Sequence, residues 1–196
     1  MYKNTIIWYD FPETTGNGKH LQAGRRPAYV IAETEENLLL AAITTAHKNN
    51  KMPTHVGVRL QRSSIIMMEQ LFWVPKPEGY IMKYRTNITI QVARALEYSL
   101  GIIDLGNVEN ISYRRGNVYE YNGEKYVILQ NNVGNKYSPT TIIGKLDEKN
   151  GITEIMTVDM TDLHKYVFKM AVPEEYLEHA IKQCYFLGSK SRKIHR

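Results

Sequence analysis

A single cysteine, Cys184, is the only thiol in this 196-residue chain, which excludes an internal disulfide and any multi-cysteine metal site. Long apolar runs are also missing. The longest, Leu38 to Ile43 and Ile65 to Met68, fall far short of the roughly 20 residues that a membrane helix needs. The opening residues Met1-Tyr2-Lys3-Asn4 carry no apolar export segment, so a cytoplasmic address with no membrane partner is expected. Asp159, Asp162 and His164 lie close in sequence, but no second histidine or cysteine is near them. Neither a metal nor a cofactor is expected. No Gly/Ser-rich or Pro-rich stretch divides the chain, so any two units in it are joined by a short linker and held close together.

What the chain does contain is a pattern written twice. In the first copy, Lys3-Asn4-Thr5-Ile6-Ile7-Trp8-Tyr9-Asp10 leads through a polar loop to Gly24-Arg25-Arg26-Pro27-Ala28-Tyr29-Val30-Ile31. In the second, Arg115-Gly116-Asn117-Val118-Tyr119-Glu120-Tyr121 leads through only Asn122-Gly123-Glu124 to Tyr126-Val127-Ile128-Leu129-Gln130. The expected organisation is residues 1–106 and 115–188 as two copies, with 107–114 as linker and 189–196 as a basic tail. Copies this small have thin cores and should pack against each other.

Charge is unevenly shared. Residues 1–105 hold 12 Lys/Arg against 9 Asp/Glu, and residues 106–196 hold 13 against 11. Four of those 13 cations fall in Gly188 to Arg196, so the second copy without the tail is net negative. A polyanion would favour the first copy or the tail, because phosphate binding needs clustered Lys/Arg.

Alternating or short apolar runs predict strands at Ile6–Tyr9, Ala28–Ile31, Leu38–Thr44, Thr54–Val58 and Ser64–Met68. Val92, Leu96 and Leu100 recur at i, i+4 before Gly101, which predicts an amphipathic helix with a glycine stop. In the second copy Asn122-Gly123 and Asn150-Gly151 are hairpin signals. Pro173-Glu174-Glu175 opens a helix whose one face carries Leu177, Ile181 and Cys184.

Four segments of the first copy together resemble the MazF/PemK toxins of bacterial type II toxin–antitoxin systems. They are Gly24 to Ile31, Ala41-Ala42-Ile43-Thr44, Met52-Pro53-Thr54-His55-Val56 and Ser64 to Gln70. The second copy resembles the same family through Arg115 to Tyr119 and Gln130 to Thr140. It has no Arg-Pro pair, and Asp147 stands where a strand-ending threonine belongs. The resemblance implies a mainly β, SH3-like barrel of the CcdB/Kid/MazF type with a C-terminal helix, here as two tandem copies forming an intramolecular pseudo-dimer. It implies metal-independent, sequence-selective cleavage of single-stranded RNA such as mRNA, leaving a 2′,3′-cyclic phosphate and a 5′-hydroxyl. It also implies an antitoxin peptide as a partner. Whether the fused chain is monomeric or dimerises further is left open.

The chemistry of that reaction asks for positioning, charge stabilisation and proton transfer. Arg26, matching the family's arginine before proline, can fork onto phosphate oxygens, and Pro27 keeps its backbone extended. Thr44 offers a hydroxyl at a strand end. Against these stand a surface ion pair for Arg26 and an ordinary strand threonine for Thr44. His20 can move a proton near neutral pH or be an exposed loop residue. Lys19, Gln22, Arg25, Thr45 and Ser64 are candidate RNA contacts. Gln70 is a candidate reader of a base edge, and Trp73 is either a base-stacking or a packing residue. Two rival functions remain: a decoy that binds RNA or an antitoxin without cutting, and a gyrase poison, for which no residue pattern speaks.

Overall fold

The computed structural model describes residues 1–12, 21–45, 52–79, 81–102, 113–130, 140–147 and 151–186. Eleven strands form two antiparallel sheets, and a helix follows the main strands of each. The first sheet contains β1 (Thr5–Phe11), β2 (Gly24–Glu33), β3 (Asn37–Thr45), β4 (His55–Arg59), β5 (Ser63–Pro75) and β6 (Tyr84–Arg85), in the order β4-β5-β3-β2-β1-β6. Helix α1 (Thr89–Ser99) follows. The second sheet contains β7 (Asn117–Tyr121), β8 (Glu124–Gln130), β9 (Thr140–Asp147), β10 (Gly151–Asp159) and β11 (Val167–Ala171), in the order β10-β9-β8-β7-β11. A 3-10 turn at Met160–Lys165 precedes β11, and α2 (Glu174–Phe186) follows it.

The predicted strands are all present, and β5 runs further than the residue pattern suggested. It continues from Met68 through Trp73 to Pro75, because its second half pairs with the start of β3 (Leu38 with Val74, Leu40 with Phe72). Its first half pairs with the end of β3 and with β4. Between these stretches Ala41 faces Leu71 and Ile43 faces Ile66, so four residues of β5 oppose Ala42 alone. Such a bulge bends the strand and interrupts its ladder.

The Asn122-Gly123 turn and the Gly101 stop act as their chemistry predicts, whereas Asn150 lies outside the described residues. Asn122 and Gly123 both take positive φ (51° and 79°), the conformation of a two-residue hairpin turn between β7 and β8. Gly101, at φ +70°, ends α1. Its N–H bonds to the Tyr98 carbonyl and the Ile102 N–H to that of Glu97, satisfying helix carbonyls otherwise left open. Val92, Ala95, Leu96 and Leu100 of α1 are buried, as are Leu177, Ala180, Ile181 and Cys184 of α2.

One apolar cluster spans both halves. Ile6, Tyr29, Leu39, Ile66 and Leu71 of the first sheet join Val118, Val127, Ile142 and Ile155 of the second, with residues of both helices. At about 1.5–3 kcal/mol for each large apolar side chain fully buried, neither half could bury these faces alone. Polar ties cross the same boundary. Arg115 donates to the carbonyls of Leu100, at 2.5 Å, and Leu129, while its Nε and Nη2 hold the Glu174 carboxylate. From β10, the Thr157 hydroxyl accepts from the Leu71 N–H at 2.7 Å and donates to the Glu69 carbonyl at 3.0 Å. Glu69 is in the bulged part of β5, and Leu71 is the residue that follows it.

Candidate functional site

A cleft of about 770 Å³ opens on the first sheet. Its floor is central: Arg25, Arg26 and Pro27 at the start of β2, and Ile43, Thr44 and Thr45 at the end of β3. One rim is the β4–β5 hairpin, with Arg59, Gln61, Arg62 and Ser64. The other is β1 and β6, with Trp8, Tyr84 and Arg85. The strand order explains the shape, since β4 and β6 are the two edges of the sheet and β2 and β3 lie between them. Among the described residues, five arginines and no carboxylate line the cleft, a surface suited to phosphate.

The β2–β3 pairing ends at Ala28 with Ala42; two residues beyond that pair, Arg26 lies against Tyr9 of β1 and Thr44 against Ile65 of β5, and both line the cleft. Pro27 is opposite Trp8 of β1. It can occupy β2 because proline only removes one ladder donor near a strand start.

The Arg26 guanidinium is held in place from its own chain. Nε and Nη2 donate to the Ala23 carbonyl at 3.0 and 2.5 Å, and Nη1 donates to the Gln22 side-chain oxygen. These three bonds leave two of the five guanidinium donors for a ligand. Partial burial pulls the Arg26 pKa below its ordinary value, but a guanidinium starts so high that it stays charged at neutral pH. Gln22 is itself anchored: its N–H donates to the Gln70 side-chain oxygen at 2.8 Å.

Arg25, Arg26, Thr44, Thr45 and Ser64 are thus brought together in one cleft. Gln22 touches Arg26 from behind. Gln70 is 5% exposed and its side-chain oxygen accepts from the Gln22 N–H, and it is not among the cleft-lining residues. Trp73 lies on the second half of β5, opposite Leu39, packed against the core cluster and outside the cleft lining. Lys19 and His20 lie outside the described residues, as do the candidate linker up to residue 112 and the basic tail.

The sequence reading missed Arg59, Arg62 and Arg85, together with the half-exposed rings of Trp8 and Tyr84. A signal for two of them was available. No Asp or Glu occurs from Asn37 through Met68, a stretch that includes Arg59 and Arg62. Arg85 gives no comparable sign, because only the pairing of β6 with β1 carries it to the cleft.

On β4 and β5, outside the cleft lining, His55 and Glu69 form a buried pair at 2.7 Å. In the second half, Asp147 is exposed at the end of β9, the position at which β3 carries its threonines. Asp162 binds Lys165 at 2.6 Å, and among the described residues no group of three His, Cys, Asp or Glu side chains could hold a metal ion. No helix among them is long and apolar enough to cross a membrane.

A family model described as PemK-like, MazF-like toxin of type II toxin–antitoxin system matches residues 2–103. Among solved structures, an endoribonuclease in complex with its cognate antitoxin from a mycobacterial species is similar over 53% of this chain and 98% of that chain, at 16% identity and a TM-score of 0.40. No curated protein matches.

Proposed function

Because the chain belongs to the PemK/MazF-like toxin family of type II toxin–antitoxin systems, we propose that its arginine-lined cleft cuts single-stranded RNA without a metal. The 2′-oxygen attacks the adjacent phosphorus, the bond from phosphorus to the 5′-oxygen breaks, and that oxygen leaves with a proton as a 5′-hydroxyl. The other product carries a 2′,3′-cyclic phosphate. Arg26 holds the non-bridging phosphate oxygens with its two remaining donors and stabilises the charge that grows on them. Thr44 bonds the phosphate or the 2′-oxygen. His20 serves as the proton-transfer group, Lys19 and Arg25 add phosphate contacts, and Thr45 and Ser64 bond the sugar-phosphate chain.

The observation that carries this reading is the meeting of Arg26 and Thr44 in a cleft whose described lining holds five arginines and no acid. The second half takes the place of a partner subunit, a role supported by the shared core and the Thr157 hydrogen bonds. One site per chain follows, with an antitoxin segment covering that cleft in the inhibited state.

A decoy that binds RNA or an antitoxin without cutting is the second reading. It is favoured by one observation: the described lining contains no histidine or carboxylate to move a proton. Incubation with a mixed RNA in EDTA separates the two. Cuts at a recurring short sequence, lost in Arg26→Ala, support the ribonuclease, and binding with every strand intact supports the decoy.

A further inference from the structure

The second half reaches the active arginine of the first through a short chain of hydrogen bonds. It begins at Thr157 on β10, a side chain only 6% exposed. Its hydroxyl satisfies the Leu71 N–H and the Glu69 carbonyl, the main-chain groups on either side of Gln70. Glu69 is one of the four bulge residues that oppose Ala42 alone, and Leu71, paired with Ala41, is the first residue after the bulge; a bulge interrupts the regular ladder there. The residue between them, Gln70, turns its side-chain oxygen to the Gln22 N–H at 2.8 Å. Gln22 and Ala23 then hold three N–H donors of Arg26.

We propose that Thr157 is a positioning residue for Arg26, acting through Gln70 and Gln22. The second half then contributes to cleavage although the Arg-Pro pair is absent from it. A buried main-chain group without a partner is costly, so β5 keeps its bulged path only while Thr157 satisfies it. A side chain standing on that path aims the Gln22–Ala23 segment, and misplacing a phosphate-gripping group by about 1 Å can cost on the order of 100-fold in rate. Gln70 accordingly acts as a strut and Gln22 as a cradle, without either touching RNA.

The proposal rests on the ribonuclease reading, and its test separates the two. Full-length Thr157→Val, which keeps the shape and loses the hydroxyl, is compared with Thr157→Ser, which keeps the hydroxyl. Rates are normalised to the folded fraction from circular dichroism at the assay temperature. Single-turnover cleavage at saturating RNA should fall at least tenfold in Thr157→Val and recover in Thr157→Ser. Affinity for a 2′-O-methyl RNA, which cannot be cut, should change less than threefold. In an Arg26→Lys background, Thr157→Val should add no further loss, since the cradle then has no guanidinium to aim. An equal further loss in that background, or no loss in the wild-type background, would overturn the proposal. If the wild-type protein cuts nothing, the ribonuclease reading falls, and the brace is read instead from the Arg26 Nε–H resonance. That signal, assigned with Arg26→Lys, should shift in Thr157→Val and not in Thr157→Ser; an unmoved signal overturns the brace.

Discussion

Arg26 and Thr44 lie on neighbouring strands, each two residues beyond Ala28 and Ala42, the last facing pair of those strands, and both line one cleft. One strand begins with the guanidinium and the other ends with the hydroxyl, so both groups open into the same cleft. Arg26→Ala should lower single-turnover RNA cleavage by roughly 10²–10³-fold, the usual loss when one preorganised donor to a developing oxyanion is removed. Arg26→Lys should recover little of it, because a lysine cannot bond the Ala23 carbonyl and the phosphate with one planar fork. A Lys variant near wild-type rate would mean that charge alone suffices.

The rims make a separate electrostatic prediction. Arg59 and Arg62 on one edge and Arg85 on the other carry the cations that border the central floor. For single-stranded RNA, the slope of log affinity against log salt is about −0.7 per neutralised phosphate. Changing each of the three to Gln should make that slope shallower by about 0.7 and weaken binding at low salt. All three are exposed, so the thermal midpoint should hardly move. Unchanged slopes would take the rims out of the binding surface.

Residues 1–105 expressed alone should self-associate or fail to unfold cooperatively. Removing the second half exposes Ile66, Leu71 and Leu96 of the shared core. It also removes the Thr157 hydroxyl from the Leu71 N–H and the Glu69 carbonyl, each a hydrogen bond with a net contribution of about 0.5–1.5 kcal/mol. Analytical ultracentrifugation with urea unfolding checks this; a stable, monomeric, fully active fragment would contradict the pseudo-dimer.

Alkali should destabilise the fold in a defined window. Burial pushes the Cys184 thiol from 9.0 up to about 12, and burial also raises Tyr166, from 10.0 to about 12. Both groups are neutral below their unfolded values, so their contribution is complete there. It is lost as the pH climbs from about 9 towards 12, because only the unfolded chain ionises readily. Urea midpoints should therefore fall across that range. At pH 8 the native thiol should resist a disulfide reagent that labels the unfolded chain quickly.

Much of the fold was legible because its signals are local. Strand alternation, the Asn122-Gly123 turn, the Gly101 stop and the α2 face of Leu177, Ile181 and Cys184 each depend on neighbours in sequence. The family's mainly β architecture with a helix after each set of strands followed from these. The centre of the site was legible too, since the Arg26-Pro27 pair and the Ile43-Thr44 strand end are contiguous motifs. What stayed hidden depends on distant pairing. Gln70 reads as an exposed polar strand residue until the β5 bulge turns it inward to Gln22. Trp73 reads as either a base-stacking or a packing residue, and only the second half of β5 sets it opposite Leu39 and against the core. Thr157 is one strand threonine among several, and only the packing of β10 on β5 gives it the Glu69 and Leu71 main chain.

In the proposed reaction the cleft cuts RNA by using the RNA's own 2′-hydroxyl. A short RNA containing the mapped cut site, incubated in EDTA with the full-length protein, tests it against the same strand carrying one 2′-deoxy nucleotide immediately 5′ of the cut phosphate. The account predicts cleavage of the first strand to a 2′,3′-cyclic phosphate end and no cleavage of the second at that position. Equal cleavage of both strands, or loss of all cleavage in EDTA, would contradict it.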